Sequence, residues 1–401
     1  MQIIHSTITL ILIYITLYSY GFVISNKIYK GQNKDVFFTI LLGYLAVGVI
    51  TLILHFFFKI NNLISIFFIT SSLIIFYHHG HKINIKKNFL YISIILLLSF
   101  FLFGYSEHPI DTNMYHHPYV SYLKSEKIVF AIANIQFRFG HISFLQYVQS
   151  ALTNDYLHEI SLASINLIFY ICFFIFISEK ISNTKKFNYN FLIEILFACF
   201  LLIKFARYRE YGNDLIPLLV CIYFLIQILN PKKNKLFTNN NLINFALPFM
   251  VIMFAHKISY TLAVLMFLPL FNFKNFKFLS EINIKYFFVF LFILVPWLIK
   301  NYLTTSCFAY PIEISCISNN IYTLGGMAEP SSASWLTELW AKAFIDHPNW
   351  REIDLNIYMS GLNWFPTWFG SHFVKILEIL SPLFFIILIF TFFYFLKKID
   401  F

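Results

Sequence analysis

In a chain that is 59% hydrophobic and 12% charged, ionisable side chains at the rims of apolar runs are candidates for chemistry. Asp111 lies between Pro109 and the run Tyr115-His116-His117-Pro118. A carboxylate at the rim of an apolar run can face a cleft open to water and lipid headgroups, where partial burial raises its pKa toward that of a general base. The plainer alternative is a solvated turn residue, since Asp near Pro and Asn is common in turns. Arg138, followed by Phe139-Gly140-His141, can grip phosphate oxygens through its planar fork or snorkel from an interfacial helix. The stretch from Arg207 to Asp214 places four charges in eight residues between two apolar runs. There Asp214 can align a hydroxyl, bind a cation, or pair with Arg207 or Arg209. His256 and Lys257 interrupt an apolar stretch, and ionisable groups at such depth usually face a cavity and a partner. Lys300-Asn301 follow Pro296-Trp297, where a lysine can reach a lipid phosphate.

Other chemistries lack their residues. His78, His79 and His81 cluster without a carboxylate or thiol and read as loop residues rather than metal ligands. No Walker A loop, glycine-rich dinucleotide fingerprint, HExxH helix or Gly-x-Ser-x-Gly elbow occurs, so ATP-driven and NAD-dependent roles have no support. The net charge of +10 is dispersed among short loops without aromatic interleaving, so nucleic acid is not an expected partner.

The elements that must position these residues are apolar runs long enough to cross a hydrocarbon core. Eleven spans are expected, roughly at 3–24, 36–58, 62–77, 88–104, 161–178, 190–206, 215–230, 242–256, 258–272, 286–300 and 376–396. The fold class is therefore all-α: a polytopic transmembrane helical bundle of about 11 spans, a single transmembrane domain over residues 1–401. The first run lacks a basic n-region and a small-residue cleavage site, and reads as a retained span.

Charge sorts the gaps between these runs. Six clusters fall in every second gap: Lys27/Lys30/Lys34, Lys82/Lys86/Lys87, Lys180/Lys185/Lys186, Lys232/Lys233/Lys235, Lys274/Lys277/Lys285 and Lys397/Lys398. They hold about 17 of the 29 basic residues, while about 14 of the 19 acidic residues lie in or beside the other gaps. Lys and Arg favour cytoplasmic loops, which predicts a multi-pass membrane protein with its N-terminus outside and C-terminus cytoplasmic.

Two outward loops are long. The first, 105–160, carries Asp111 and two semi-apolar stretches, 119–133 and 142–152, expected as helices lying in the interface. The second, 301–375, carries Trp335, Trp340, Trp350, Trp364 and Trp368, which suits contact with headgroups. Cys307 and Cys316 share this loop, where an oxidising exterior permits a disulfide, although two free thiols stay open as an alternative. Cys172, Cys199 and Cys221 lie in apolar runs.

Three segments together resemble bacterial integral membrane proteins of the GT-C glycosyltransferase type. They are Asp111-Thr112-Asn113-Met114-Tyr115-His116-His117-Pro118, then Ala131 to Gly140 including Arg138, then Pro296-Trp297-Leu298-Ile299-Lys300-Asn301 followed by Tyr310-Pro311. The resemblance implies transfer of a sugar from a polyprenyl-phosphate donor to a glycan, lipid or protein acceptor on the outer side of the membrane, with membrane lipids as further partners. It implies a catalytic role for Asp111 and a supporting one for Asp214. Tyr115, His116, Arg138, Arg207, His256, Lys257, Lys300 and Asn301 complete the expected substrate contacts. No cofactor is certain, and a divalent cation stays open, because Asp111-Thr112 stands where paired acids often occur in such enzymes; three extra spans also precede the acidic loop. Two alternatives are a flippase or transporter of lipid-linked or small solutes, and a surface-polysaccharide polymerase or ligase. Against the first, most ionisable groups lie at the outer ends rather than at the midplane; against the second, the second loop carries only Arg351.

Overall fold

The computed structural model describes residues 2–29, 35–79, 90–94, 111–141, 143–157, 161–183, 189–203, 212–229, 239–270, 283–317 and 324–398. Among them the chain is helical, and no strand is present. The principal helices are α1 (Gln2–Ile28), α2 (Val36–His55), α3 (Asn62–His79), α4 (His117–Ser125), α5 (Phe144–Leu152), α6 (Ser161–Ser182), α7 (Tyr189–Ile203), α8 (Leu215–Leu229), α9 (Asn239–His256), α10 (Ile284–Thr305), α11 (Pro330–Ala341) and α12 (Phe365–Lys398). A 3-10 segment, Ile258–Leu270, follows α9 directly. Five helical stretches, Ile4–Ile28, Val36–His55, Asn62–His79, Leu162–Ser182 and Ile284–Thr305, are long and apolar enough to cross a membrane. Of the expected span at 88–104, only 90–94 are described. The last helix begins at Phe365, well before the expected 376.

Helix starts follow local chemistry. The side chain of Asp35 accepts from the Phe37 N–H (2.8 Å), Asn61 from Ile64 (3.2 Å) and Asn283 from Lys285 (3.0 Å), each satisfying an N-terminal amide that has no intrahelical partner. Burial then ranks the helices. In the most apolar window of α2, 89% of residues are buried, against 17% for α3, so α2 is central and α3 peripheral. At the α1–α2 contact the backbones nearly touch: a Cβ built on Gly43 would overlap the Leu17 carbonyl, and one on Gly21 the Thr39 carbonyl. Small residues at a crossing permit this approach and the dispersion contacts it brings.

The segment expected as an interfacial helix at 142–152 is a helix, but every residue of α5 is buried. Its polar residues serve as internal bonding groups rather than a wetted face: Gln149 Nε2 donates to the Leu162 carbonyl (2.8 Å) and Ser150 Oγ to the Tyr147 carbonyl (2.9 Å). The other stretch, 119–133, is α-helical only to Ser125, and its last residues enter a 3-10 turn, Ile132–Asn134. Between the two, Ala131 takes a left-handed conformation and its N–H donates to the Leu303 carbonyl on α10 (3.0 Å).

Before α4 the chain makes one π-helical turn, Thr112–His116, closed by the His117 N–H donating to the Thr112 carbonyl. Pro118 explains the widening, since it has no N–H to offer the carbonyl four residues back and its ring crowds that position. The turn sets Tyr115 and His116 on the wall described next. The second long segment is fastened over the same region. Cys307 and Cys316 form a disulfide, the Tyr310 hydroxyl donates to the Ala328 carbonyl (3.0 Å), and the Gly325 N–H donates to Asn134 Oδ1 (3.0 Å).

Candidate functional site

A cavity of about 630 Å³ opens where the π-turn, residues 137–141, residues 212–214, the end of α9, the end of α10 and α11 meet. Its walls carry Asp111, Tyr115, His116, Arg138, Asp214, His256, Lys257 and Asn301, so eight of the ten expected chemical residues converge. Arg207 lies outside the described residues. Lys300 is fully buried behind the wall, where its ammonium donates to Asn301 Oδ1 (3.2 Å) and sits 4.6 Å from the Trp297 ring centre. The expected reach of Lys300 to a phosphate is therefore not met: its helical position turns it toward Trp297 and Asn301. Asn301 spends its amide on the Phe308 carbonyl (3.0 Å).

Two ion pairs mark the walls. Arg138 Nη1 lies 3.2 Å from Asp111 Oδ1, and Lys257 Nζ lies 3.0 Å from Asp214 Oδ1. The guanidinium of Arg138 is boxed by aromatic rings, with Tyr115 at 5.0 Å, Trp340 at 5.3 Å and Phe137 at 5.7 Å. Each such cation–ring contact contributes about 0.5–1 kcal/mol. The box holds Arg138 still, with its side chain only 16% exposed, and Arg138 in turn holds Asp111. Asp111 is not the partly buried carboxylate that was expected, because its side chain is 59% exposed. Its place is set by a rigid partner and by the π-turn. Asp214, expected to pair with Arg207 or Arg209 if it were structural, pairs with Lys257 from the distant α9 junction.

The histidines divide by bonding. His256 Nδ1 lies 2.8 Å from the Ile252 carbonyl, which can only accept, so Nδ1 carries the proton and Nε2 accepts from the Tyr44 hydroxyl (2.7 Å). Both nitrogens are spent inside the protein, and His256 shapes the wall. His116 has Nδ1 2.6 Å from Gln146 Nε2. Burial, aided by Arg138 and opposed by Asp111 and Asp214, lowers its pKa to about 4. His141, also on the wall, is pushed down to about 4 by burial and then by Arg138, Lys257 and Lys300. Burial, then Asp111, raises the Tyr115 phenol to about 12. At neutral pH these three groups are uncharged hydrogen-bonding surface rather than titrating acids or bases.

Asp111 and Asp214 each already hold a cationic side chain, and among the described residues no three His, Cys, Asp or Glu side chains converge as metal ligands. Arg138 and Lys257 are the cations of this wall that can balance anionic charge there. Three contributors escaped sequence reasoning: Gln146, Asn213 and Trp340. Ser143-x-x-Gln146 is a capping-box pattern, so the start of α5 was visible in the sequence, but nothing there pointed Gln146 at His116.

The family model described as Domain of unknown function (DUF8201) matches residues 3–401. No curated protein and no solved structure matches the chain.

Proposed function

From a chain that belongs to the DUF8201 family, we propose a GT-C-like membrane glycosyltransferase that moves a sugar from a polyprenyl-phosphate donor to an envelope glycan, lipid or protein acceptor on the outer face of a bacterial inner membrane. The bundle is read as eleven spans with the cavity on the outward side. One observation carries the reading: a carboxylate, Asp111, anchored by an aromatic-boxed arginine, shares a cavity with the more exposed cation Lys257 at the ends of apolar helices. Phe288, Phe292, Val295 and Ile299 form an exposed apolar stripe along α10, on the face opposite Trp297 and Asn301, that suits contact with lipid.

The chemistry follows from charge. The acceptor hydroxyl attacks the anomeric carbon, a new C–O bond forms there, and the bond to the carrier phosphate breaks. Asp111 aligns the hydroxyl and takes its proton, while Lys257 and Arg138 stabilise the departing phosphate. Sites of this kind gain strength from fixed dipoles and cations in a region with little water.

The test uses the full chain in lipid vesicles with polyprenyl-phosphate hexoses and pentoses labelled in the sugar. Protein-dependent release or transfer of label from at least one donor is the expected result; turnover no higher than in protein-free vesicles across the panel sinks the proposal. Orientation has its own measurement, made after replacing Cys172, Cys199 and Cys221. Asn113→Cys is expected to react with an impermeant maleimide on intact cells, and Asn183→Cys only after permeabilisation. Both positions are exposed, so the opposite pattern would report inverted topology rather than burial.

A further inference from the structure

We propose that Gln146 is a positioning residue that presents His116 to the cavity as a neutral Nε2–H donor, and that this donor binds a sugar hydroxyl oxygen of the ligand. The identity of the ligand rests on the glycosyltransferase reading; the presentation of His116 does not.

The orientation of Gln146 is set by a group that can only donate. The backbone N–H of Ser143 points to Gln146 Oε1 (3.0 Å), which turns Nε2 to the other side. There its two hydrogens have two acceptors, His116 Nδ1 at 2.6 Å and Asn213 Oδ1 at 3.1 Å. Since Nδ1 of His116 accepts, the ring proton of the neutral form sits on Nε2. A proton added at Nδ1 would face the Gln146 amide hydrogens, so protonation loses a hydrogen bond in addition to the cost of charging a buried ring. Burial and Arg138 also act against the charge, and the carboxylates of Asp111 and Asp214 act for it. The arrangement is braced: Gln146 lies in the first turn of the wholly buried α5, and Ser143 Oγ lies 2.8 Å from Asn213 Oδ1.

Nε2 has no hydrogen-bond partner among the described residues, although His116 is part of the cavity wall. The rings of Tyr115 and His116, 4.1 Å apart, limit its rotation. A donor placed near two carboxylates suits a hydroxyl, which can accept from Nε2–H while donating to a carboxylate. A phosphate dianion can accept from Nε2–H but has no hydrogen to donate to a carboxylate, so it satisfies only half of this arrangement.

Two-bond ¹H–¹⁵N correlation spectra of the full chain labelled with ¹⁵N-histidine report which ring nitrogen of His116 carries the proton, and loss of the signal in His116→Gln assigns it. The wild-type His116 is expected to keep an accepting Nδ1 and a protonated Nε2 from pH 7.5 to pH 5, whereas added N-acetylhistidine goes from about 10% to about 97% charged over that range. In Gln146→Glu a carboxylate faces Nδ1, draws the proton there and favours the charged ring, so the His116 signals become pH-dependent. A wild-type His116 that charges together with N-acetylhistidine, or whose neutral ring carries its proton on Nδ1, overturns the presentation. The ligand arm uses citronellyl-phosphate hexose against citronellyl phosphate. A shift of the His116 Nε2 signal by the first alone supports hydroxyl binding; equal shifts by both, or a shift by neither, overturn it. An unchanging wild-type tautomer with no sugar transfer would sink the transferase reading and leave the Gln146–His116 arrangement standing, whereas transfer with a pH-dependent His116 would do the reverse.

Discussion

Asp111→Asn is expected to lower sugar transfer by about 10²–10⁴-fold, the range for loss of a positioned acid or base. The substitution keeps the shape of the side chain and removes its negative charge, so the acceptor proton has no carboxylate to go to. Stability should hardly change. Asp111 is well exposed, and an exposed pair of this kind contributes about 0–1 kcal/mol, while Arg138 keeps its three aromatic neighbours. The measurement pairs initial rates in vesicles with a thermal midpoint in detergent. Lost turnover with an unchanged midpoint assigns Asp111 to chemistry. Turnover within about threefold of wild type removes it from the mechanism, because even a weak general base contributes more than that.

The largest effect on folding is expected from Gly43→Ala. A methyl group there meets the Leu17 carbonyl, which is backbone and cannot rotate away, so α1 and α2 must separate along their shared contact. Overpacking in a tight core costs about 1–3 kcal/mol, and a clash with backbone belongs at the upper end or beyond. A lowering of the thermal midpoint by about 5 °C or more is expected on the usual scaling of stability with midpoint. Gly370→Ala is the control, since a Cβ there meets nothing within 4 Å and alanine favours a helix. If both variants melted with the wild type, the close α1–α2 contact would not exist in the membrane.

Much of the helical framework was readable along the chain. Apolar runs with Asp35, Asn61 or Asn283 at their starts specify helices through local bonding, and the three that follow these residues are among the five helical stretches with the length and apolarity to cross a membrane. The disulfide was also within reach, because Cys307 and Cys316 lie only nine residues apart. Burial was harder to read. The sequence of α5 mixes glutamines and a serine with apolar residues, which resembles a surface helix until those polar groups are seen to bond with His116, Asn213 and Leu162.

The sequence by itself marked Asp111, Arg138, Asp214 and Lys257 as candidates for chemistry, since they are ionisable groups near the ends of apolar runs. Tertiary structure decided their pairing. Lys257 reaches Asp214 across 43 positions, Arg138 reaches Asp111 across 27, and Trp340 arrives from another segment altogether. It also turned Lys300 inward and spent both nitrogens of His256 on Tyr44 and Ile252. The physical reason is range. Capping and hydropathy act within a few residues of the backbone, whereas ion pairs, tautomers and cavity walls depend on which helix faces meet, and only packing of the whole bundle settles that.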